Sequence, residues 1–193
     1  MELIFATHNQ NKVEEITAIL PPVIEIKSLR DINFKNEISE TSETLQGNAL
    51  IKARTIFNQF KRNCFADDTG LEVEVLNGDP GVLSARYAGN QNIAIDNIKK
   101  LLRKLKNHDN RKAQFRTVIA LIYDRNEYFF EGIIKGKIIT EAKGNNGFGY
   151  DPIFQPENYF LSFAQLDKEE KNKISHRAQA TKHFLKILND NIK

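Results

Sequence analysis

Residues 3–22, LIFATHNQNKVEEITAILPP, place three different patterns in immediate succession. The apolar run 3–6 is typical of a short buried strand, and the polar residues after it are typical of a loop. From Val13 to Leu20 apolar residues recur at helical spacing, and two prolines end the pattern. A strand that leads through a loop into a helix opens an α/β unit, so this stretch predicts an α/β fold.

Further strands and helices follow along the chain. Asp67-Asp68-Thr69-Gly70 is interpreted as a turn, because Asp and Gly are frequent turn formers after a strand. Thr44, or a residue just before it, is predicted to cap the helix that follows. The predicted strands lie near 23–29, 64–66 and 71–75, and the predicted helices lie over 45–60, over 92–106 and after Ser175-His176-Arg177.

Two β-branched and aromatic runs, 115–123 and 128–139, are joined by four polar residues. This arrangement predicts an antiparallel hairpin. A hairpin within an otherwise alternating order of strands and helices implies a mixed sheet, with helices flanking it.

The composition is that of an ordinary globular chain. Its 193 residues are 40% hydrophobic and 27% charged, which suits a single domain over 1–193 with a sizeable core. No apolar run approaches the roughly 20 residues that cross a bilayer, and the N-terminus lacks a signal-peptide pattern. The single cysteine, Cys64, excludes an intrachain disulfide and suits a reducing compartment. We therefore expect a cytoplasmic protein without a membrane partner.

The net charge of the chain gives little information about its binding partners. Twenty-eight Lys and Arg against 25 Asp and Glu leave a formal charge of +3, whereas nucleic-acid binders usually carry a strong, clustered excess. The basic residues within 99–106 suit the solvated face of an amphipathic helix, with a nucleic-acid patch as the alternative. We expect no nucleic-acid partner; a small anionic ligand is compatible with this charge.

The first polar cluster follows the first predicted strand. A loop that enters a helix presents free backbone N–H groups and the positive end of the helix dipole, which favours an anion. The alternative is an ordinary polar N-cap without a ligand. The cluster consists of Thr7, His8, Asn9, Gln10, Asn11 and Lys12.

The second cluster is acidic. Asp67 and Asp68 follow a buried strand, and Glu40 and Glu43 lie in the preceding polar loop. Oxygen-only ligands of this kind suit Mg²⁺, which takes few protein carboxylates and keeps several waters; a plain β-turn is the alternative. The chain has no Cys/His set with zinc spacing, and Cys64 has no evident activating partner for nucleophilic catalysis.

Two further clusters lie towards the C-terminus. Gly147 and Gly149 flank Phe148, so its ring is available to stack on a planar ligand or, alternatively, to cover the core. The segment 169–177 is predicted to open the last helix. Within it, Lys171 and Arg177 form a charged pair that faces one ligand if the chain turns between them. Otherwise they are surface charges of little consequence for stability.

Five segments together resemble the inosine triphosphate pyrophosphatase family, also called Ham1-like non-canonical purine nucleoside triphosphate pyrophosphatases. They occur in the order of the family's motifs and span nearly the whole chain. They are ATHNQNK near the start, FADDTGL in the middle, PGVLSARYAG (80–89), GFGYDPIF (147–154) and EEKNKISHRAQA (169–180).

The resemblance implies a cytoplasmic, homodimeric α/β hydrolase with an elongated mixed sheet and two lobes around a central nucleotide cleft. Such an enzyme cleaves ITP, dITP and XTP to the monophosphate and pyrophosphate with Mg²⁺, which removes deaminated purines from the nucleotide pool. Asp68 falls on the proton acceptor and metal ligand, and Glu40 on the second metal position. Glu43 stays open as the alternative, because Gln46 stands where many members carry an acidic residue.

The remaining site residues implied by the resemblance contact the nucleotide. Thr7 to Lys12 fall on the phosphate-binding segment. The other contacts fall on Thr69, Phe148, Gly149, Tyr150, Asp151, Lys171, His176 and Arg177. Donors from His176, Arg177 or nearby backbone would pair with the carbonyl at ring position 6 and oppose the amino group of adenine. The rival interpretations are a pyrophosphatase of the Maf family and a nucleotide-binding module without catalysis.

Overall fold

The secondary structure follows the predicted α/β order. The structure is a computed structural model that describes residues 1–191. Its strands are β1 (Glu2–Phe5), β2 (Glu25–Ser28), β3 (Cys64–Val73), β4 (Pro80–Gly81), β5 (Lys112–Tyr123), β6 (Asn126–Ile138) and β7 (Phe154–Pro156). Its helices are α1 (Gln10–Thr17), α2 (Leu45–Phe60), α3 (Ala94–Lys104), α4 (Lys168–Ile174) and α5 (His176–Asn191), with short 3₁₀ turns between some elements.

The sheet is mixed, as predicted. Its strand order is β2-β1-β3-β5-β6-β7, with β4 paired to β3. Strand β1 runs parallel to β2 and β3, so that Leu3 lies opposite Ile26 and Phe5 opposite Phe65. The pairs β3–β4 and β6–β7 are antiparallel. Parallel strands at one end and antiparallel pairs elsewhere confirm the mixed α/β class.

The chain forms two compact units, and both are discontinuous in sequence. Unit 1 contains Met1–Asp68, Thr117–Gly132 and the segment from His176 onward. Unit 2 contains Thr69–Arg116 and Ile133–Ser175. The single domain over 1–193 stays a prediction.

Unit 1 has a layer of helices on each face of its strands, because successive side chains of a strand point to opposite faces. On one face, Phe5 and Phe65 stack with ring centroids 4.4 Å apart, and Phe65 contacts Phe184 of α5 at 5.1 Å. On the other face, Ala66 belongs to the same buried cluster as Ala53 of α2. The strand β3 therefore faces α1 and α5 on one side and α2 on the other.

A glycine sets how closely α5 approaches the sheet. A Cβ atom at Gly132 of β6 would lie 2.0 Å from the carbonyl oxygen of His176 and 2.5 Å from the amide nitrogen of Ala180. Both are backbone atoms, which a side-chain rotation cannot move. The first turn of α5, which carries His176 and Arg177, is thereby held against β6.

Unit 2 has an aromatic core. The rings of Phe115 and Phe154 lie 4.7 Å apart, and those of Phe154 and Phe163 lie 5.2 Å apart. The buried Tyr150 hydroxyl donates to the carbonyl of Ser84 at 2.9 Å. This hydrogen bond anchors the glycine-rich segment that precedes Tyr150.

The helix boundaries agree with the capping and stop signals of the sequence. Thr44 caps α2 as predicted, since its hydroxyl accepts from the amide of Gly47 at 3.0 Å. Helix α1 ends at Thr17, before the two prolines. Within the part of the chain that the structure describes, none of the helices combines the length and hydrophobicity needed to cross a membrane.

Three local predictions are wrong. Asp67-Asp68-Thr69-Gly70 is not a turn, because β3 continues without interruption from Cys64 to Val73 and includes part of the separately predicted 71–75 strand. The hairpin linker is shorter than expected, with only Asp124 and Arg125 between the strands, both at positive φ. The segment 169–177 does not open one helix.

The break in that last segment has a local cause. Helix α4 ends at Ile174, and Ser175 adopts an extended conformation with ψ 156° before α5 begins at His176. An extended residue cannot continue the helical hydrogen-bond pattern. Lys171 therefore lies on α4, whereas His176 and Arg177 lie on α5.

Candidate active site

The side chain of Asp67 is the centre of a buried ion-pair network in unit 1. Its Oδ1 accepts from Nζ of Lys12 at 2.9 Å, and its Oδ2 accepts from Nε of Arg177 at 3.1 Å. Arg177 also pairs through Nη1 with Glu15 of α1. The network joins β3, α1 and α5, and its members come from opposite ends of the chain.

Burial makes this network energetically demanding. Asp67 and Arg177 are each only 1% exposed. Burial by itself raises the pKa of Asp67, but the nearby charges of Lys12 and Arg177 outweigh it and hold that pKa well below its ordinary value. Asp67 is therefore ionised, and its charge is balanced by these cations. The interpretation of Arg177 as a surface charge is wrong.

Asp68 points to the opposite face of β3, because neighbouring residues of a strand alternate. There its Oδ1 accepts from Nζ of Lys52 at 3.2 Å. The same ammonium donates to Oε1 of Glu40 at 2.7 Å. Glu40, Lys52 and Asp68 thus meet on the face that is covered by α2.

The second carboxylate oxygen of Asp68 is buried and, among the described residues, has no hydrogen-bond partner. Burial raises the pKa of Asp68, although Lys52 opposes the shift. A buried carboxylate oxygen without a donor is a suitable ligand for a hard cation. This observation fits the carboxylates of Asp68 and Glu40 to Mg²⁺.

The protein offers few ligands to such an ion. Across the described residues, no group of three or more His, Cys, Asp or Glu side chains is arranged to hold a metal ion. Mg²⁺ is usually held by one or two carboxylates together with water and substrate phosphates. Two carboxylates are consistent with that coordination.

The loop that carries Glu40 is held by α2. The buried side chain of Asn48 accepts from the amide of Ser42 at 2.9 Å, which fixes the backbone two residues after Glu40. Glu43, the alternative ligand, is exposed. The geometry therefore favours Glu40 over Glu43 as the partner of Asp68.

Sequence reasoning missed Lys52 and Glu15. Lys52 occupies a position in α2 that shares a face with the buried Asn48 and Ala49, four and three residues earlier. A lysine at a core-facing position is unusual unless its charge is paired. That feature of the sequence would have identified Lys52. Glu15 carries no comparable signal.

The segment from Thr7 to Lys12 has the geometry of an ordinary N-cap. Asn9 precedes α1, and its Oδ1 accepts from the amides of Asn11 and Lys12 at 3.0 and 3.4 Å. The Thr7 hydroxyl accepts from the amide of Asn9 at 3.2 Å. Three of the amides predicted to bind phosphate, those of Asn9, Asn11 and Lys12, are therefore already bonded to a side chain.

His8 and Gln10 are exposed beside this cap. The ring of His8 lies 6.3 Å from that of Phe34 in a stacked orientation, and its Nε2 is 3.0 Å from the carbonyl oxygen of Asn36. Of the whole segment, Lys12 alone reaches the acidic residues of β3 through a described ion pair.

In unit 2, three of the predicted nucleotide-contacting residues, Phe148, Asp151 and Lys171, lie together. Asp151 Oδ2 accepts from the amide of Phe148 at 2.7 Å and from Nζ of Lys171 at 2.5 Å. That ammonium also lies 5.0 Å from the centroid of the Phe148 ring. Lys171 is 5% exposed, so the interpretation of Lys171 as a surface charge is wrong.

A glycine allows this arrangement. Gly147 has φ +73°, and a Cβ atom there would lie 2.1 Å from Oδ2 of Asp151. Gly149 has φ +61°. The Phe148 ring is half-buried between them and lies outside the apolar core of unit 2. Its availability for stacking is favoured over a core-covering role.

The remaining predicted residues are placed as follows. His176 is buried at the start of α5. Thr69 is half-buried on β3, and Tyr150 is buried with its hydroxyl bonded to Ser84. Cys64 is buried, its thiol donates to the carbonyl of Ala53 at 3.3 Å, and burial raises its pKa to about 12. Cys64 is therefore a thiol with no nucleophilic character at neutral pH.

Comparisons with known proteins agree on one family. The model of the Ham1 family matches residues 3–187. The dITP/XTP pyrophosphatase of Flavobacterium johnsoniae is 52% identical over 97% of this chain and 98% of that protein. That of Flavobacterium psychrophilum is 54% identical over 96% and 97%. The solved structure of the Staphylococcus aureus Ham1 protein matches with a TM-score of 0.90 at 38% identity, covering 99% of this chain and 100% of that one.

Replacement of Asp67 by Asn tests the buried network. We expect Asp67→Asn to lower the free energy of unfolding at pH 7 by about 3–5 kcal/mol, because Lys12 and Arg177 lose a buried counter-charge. The pKa of Asp67 is lowered in the folded protein, so its ionised form stabilises the fold above about pH 4 and this stability is lost as the pH falls. Urea unfolding between pH 7 and pH 3 measures both effects.

The exposed Asp109 provides the control. Asp109→Asn should change the free energy of unfolding by no more than about 0.5 kcal/mol. Wild type should lose more stability than Asp67→Asn between pH 5 and pH 3. Parallel pH profiles for the two proteins would contradict the assignment of this pH dependence to Asp67.

Proposed function

The chain belongs to the Ham1 family, and we propose that it hydrolyses ITP, dITP and XTP to the nucleoside monophosphate and pyrophosphate. The curated relatives support this activity, since they carry the name dITP/XTP pyrophosphatase and match nearly the whole chain at 52% and 54% sequence identity. The products fit the removal of deaminated purines from the nucleotide pool.

One observation carries the catalytic assignment. Two carboxylates that are distant in sequence, Glu40 and Asp68, meet at one ammonium group, and one buried oxygen of Asp68 has no hydrogen-bond donor among the described residues. An isolated buried carboxylate oxygen is costly unless something binds it. A divalent cation with bound phosphate provides such a partner.

The charges of the described ion pairs favour a bound cation. These pairs join three cationic side chains to four carboxylates, so these side chains together carry one formal negative charge; the cations are Lys12, Lys52 and Arg177, and the carboxylates are Glu15, Glu40, Asp67 and Asp68. A triphosphate carries about four negative charges and is repelled by a negative site. Asp68 and Glu40 would hold Mg²⁺, which when bound neutralises phosphate oxygens and lowers the pKa of a coordinated water.

Asp68 is the group that accepts the proton of the attacking water. The water oxygen forms a bond to the α-phosphorus, the bond from that phosphorus to the bridging oxygen breaks, and pyrophosphate leaves with the bond electrons. One oxygen of the Asp68 carboxylate has no hydrogen-bond donor among the described residues, which leaves Asp68 able to accept that proton. Lys12 is assigned to the charge of the phosphate tail, and the family resemblance adds Thr7 to Asn11 and Thr69 as further contacts.

We assign contacts with the base residue by residue, as the family resemblance implies them. Phe148 stacks on the purine, while Asp151 and Lys171 hold the Phe148 segment in place. His176 donates to the carbonyl at ring position 6. Arg177 already donates to Asp67 and Glu15, so we assign its main role to fixing Asp67. Gly149 contributes through its backbone, and Tyr150 positions the segment through its hydrogen bond to Ser84.

Three matched variants test the metal ligands. Asp68→Asn and Glu40→Gln should each lower kcat for ITP by at least about 10² with the fold intact, because a ligand or base is lost. Glu43→Gln, which changes an exposed acid of the same loop, should leave kcat near the wild-type value. Pyrophosphate release with and without Mg²⁺ provides the measurement, with circular dichroism to check the fold.

The same assay of pyrophosphate release measures substrate selectivity. Wild type should process ITP and XTP with kcat/KM at least about 10² above that for ATP, the discrimination expected of a site built around hydrogen bonds. GTP, whose base has the same carbonyl at ring position 6 as hypoxanthine, is the fourth nucleotide of the assay. Equal turnover of all four nucleotides would defeat the proposed selectivity. Loss of activity in Glu43→Gln with normal activity in Glu40→Gln would move the ligand from Glu40 to Glu43.

A pair of variants separates base recognition from phosphate binding. Phe148→Ala should raise KM for ITP by about tenfold, which corresponds to the loss of one aromatic stack. It should leave inhibition by inorganic tripolyphosphate unchanged, since that anion has no base. Lys12→Ala should weaken binding of both ligands. Initial-rate kinetics with tripolyphosphate as inhibitor give both constants, and an effect of Phe148→Ala on tripolyphosphate would contradict the division of roles.

We also infer that the enzyme is a cytoplasmic homodimer. The family resemblance supports the dimer, and the free, buried Cys64 suits a reducing compartment. Light scattering after size-exclusion chromatography should give about twice the 22.1 kDa of one chain. A mass equal to that of a single chain at micromolar concentration would contradict the dimer.

A further inference from the structure

Lys52 lies at the point where the two proposed metal ligands meet. Its Nζ donates to Oε1 of Glu40 at 2.7 Å and to Oδ1 of Asp68 at 3.2 Å. Its side chain is 11% exposed, and the two carboxylates are its partners in described ion pairs. The ammonium group therefore supplies the positive charge that these carboxylates need.

We propose that Lys52 is an internal stand-in for the metal: it neutralises Glu40 and Asp68 in the nucleotide-free protein and is displaced onto a phosphate oxygen when Mg²⁺ enters with the substrate. This inference rests on the proposed function, because it takes Glu40 and Asp68 as the metal ligands. It adds a role for Lys52 that neither capping nor core packing explains.

Competition for the same two carboxylates is the physical basis of the displacement. A divalent ion bound to either carboxylate brings two positive charges next to an ammonium that already shares those carboxylates. The two cations repel each other strongly, because they are close together and a buried site screens their charges only weakly. The charge of Lys52 therefore opposes binding of free Mg²⁺, even at the Asp68 oxygen that has no donor among the described residues.

The nucleotide removes this obstacle. Lysine carries its charge on a flexible stem of four carbons, so the ammonium can change partners while α2 stays in place. A triphosphate offers Lys52 new anionic oxygens at the moment when the metal takes the carboxylates. Metal and nucleotide should consequently bind together, and the free protein should have a low affinity for the metal alone.

Lys12 provides a matched comparison. It is also a largely buried lysine of unit 1, but its ammonium pairs with Asp67 at 2.9 Å and not with the proposed metal ligands. Loss of Lys12 and loss of Lys52 each remove one positive charge from the same part of the molecule. Only loss of Lys52 removes the ammonium that pairs with the carboxylates of Glu40 and Asp68.

Binding of Mn²⁺ to the nucleotide-free protein, followed by electron paramagnetic resonance of the free ion, tests the proposal. Lys52→Met, which keeps the length of the side chain, should bind Mn²⁺ at least about tenfold more tightly than wild type. Lys12→Met should differ from wild type by less than about threefold, and Lys52→Arg, which keeps the charge, should bind no more tightly than wild type. Equal gains in Lys12→Met and Lys52→Met, or no gain in Lys52→Met, would overturn the stand-in role.

Two further measurements complete the experiment. The affinity of Lys52→Met for the α,β-imido analogue of ITP, measured in the presence of Mg²⁺, should be at least about tenfold lower than that of wild type. The reason is that the phosphate no longer contacts the ammonium of Lys52, and an unchanged affinity would overturn the transfer of Lys52 to phosphate. If Lys52→Met is unstable, Mn²⁺ should raise its melting temperature more than that of wild type, and an equal rise would count against the proposal.

Failure of the proposed function gives a different result. Adding Asp68→Asn to Lys52→Met should abolish the gain in Mn²⁺ affinity if Asp68 is a ligand, and persistence of the gain would overturn the site itself. Wild type that binds Mn²⁺ as described yet fails to release pyrophosphate from ITP would reject the proposed function alone.

Discussion

The buried ion pair between Asp67 and Arg177 is the interaction on which the organisation of unit 1 depends. A charge removed from water is tolerated only with a counter-charge and hydrogen bonds. Asp67 satisfies this condition with one cation from each of two helices, and Arg177 satisfies it with Asp67 and Glu15. Strand β3 and helices α1 and α5 are thus held in one arrangement, since separating any of them would leave a buried charge alone.

The pleat of β3 gives two adjacent, identical residues different roles. Asp67 points to the side of α1 and α5, where its charge is balanced and its pKa is lowered. Asp68 points to the side of α2, where burial raises its pKa and one oxygen has no hydrogen-bond donor within the described chain. One aspartate stabilises the fold, and its neighbour is left able to bind and to accept a proton. Backbone geometry is the cause, because a shift of one residue in register would exchange the two faces.

Local signals predicted most of the elements. The prolines after α1, the cap at Thr44 and the aromatic hairpin depend on residues that are close in sequence, so they could be recognised without coordinates. The prediction of a turn at Asp67–Gly70 was wrong, and the reason is the charge environment of the two aspartates. Two aspartates and a glycine do favour a turn in water, but here cations from α1, α2 and α5 neutralise the aspartates and allow the strand to continue. The division of the segment 169–177 into α4 and α5 could likewise not be predicted from the sequence, because Ser175 has no strong helix-breaking tendency.

The sequence by itself determined the α/β class, the order of the elements and, through the resemblance, the family and most residues of the candidate site. Hydrophobic spacing, caps and motifs suffice for these because they are properties of contiguous residues. Only the tertiary structure decided that Asp67 pairs with Arg177, 110 residues away, that Glu40 and not Glu43 faces Asp68, and that Lys52 joins them. Those relations depend on which distant side chains meet in a low-dielectric interior. Burial and charge pairing act through space, so no local pattern encodes them.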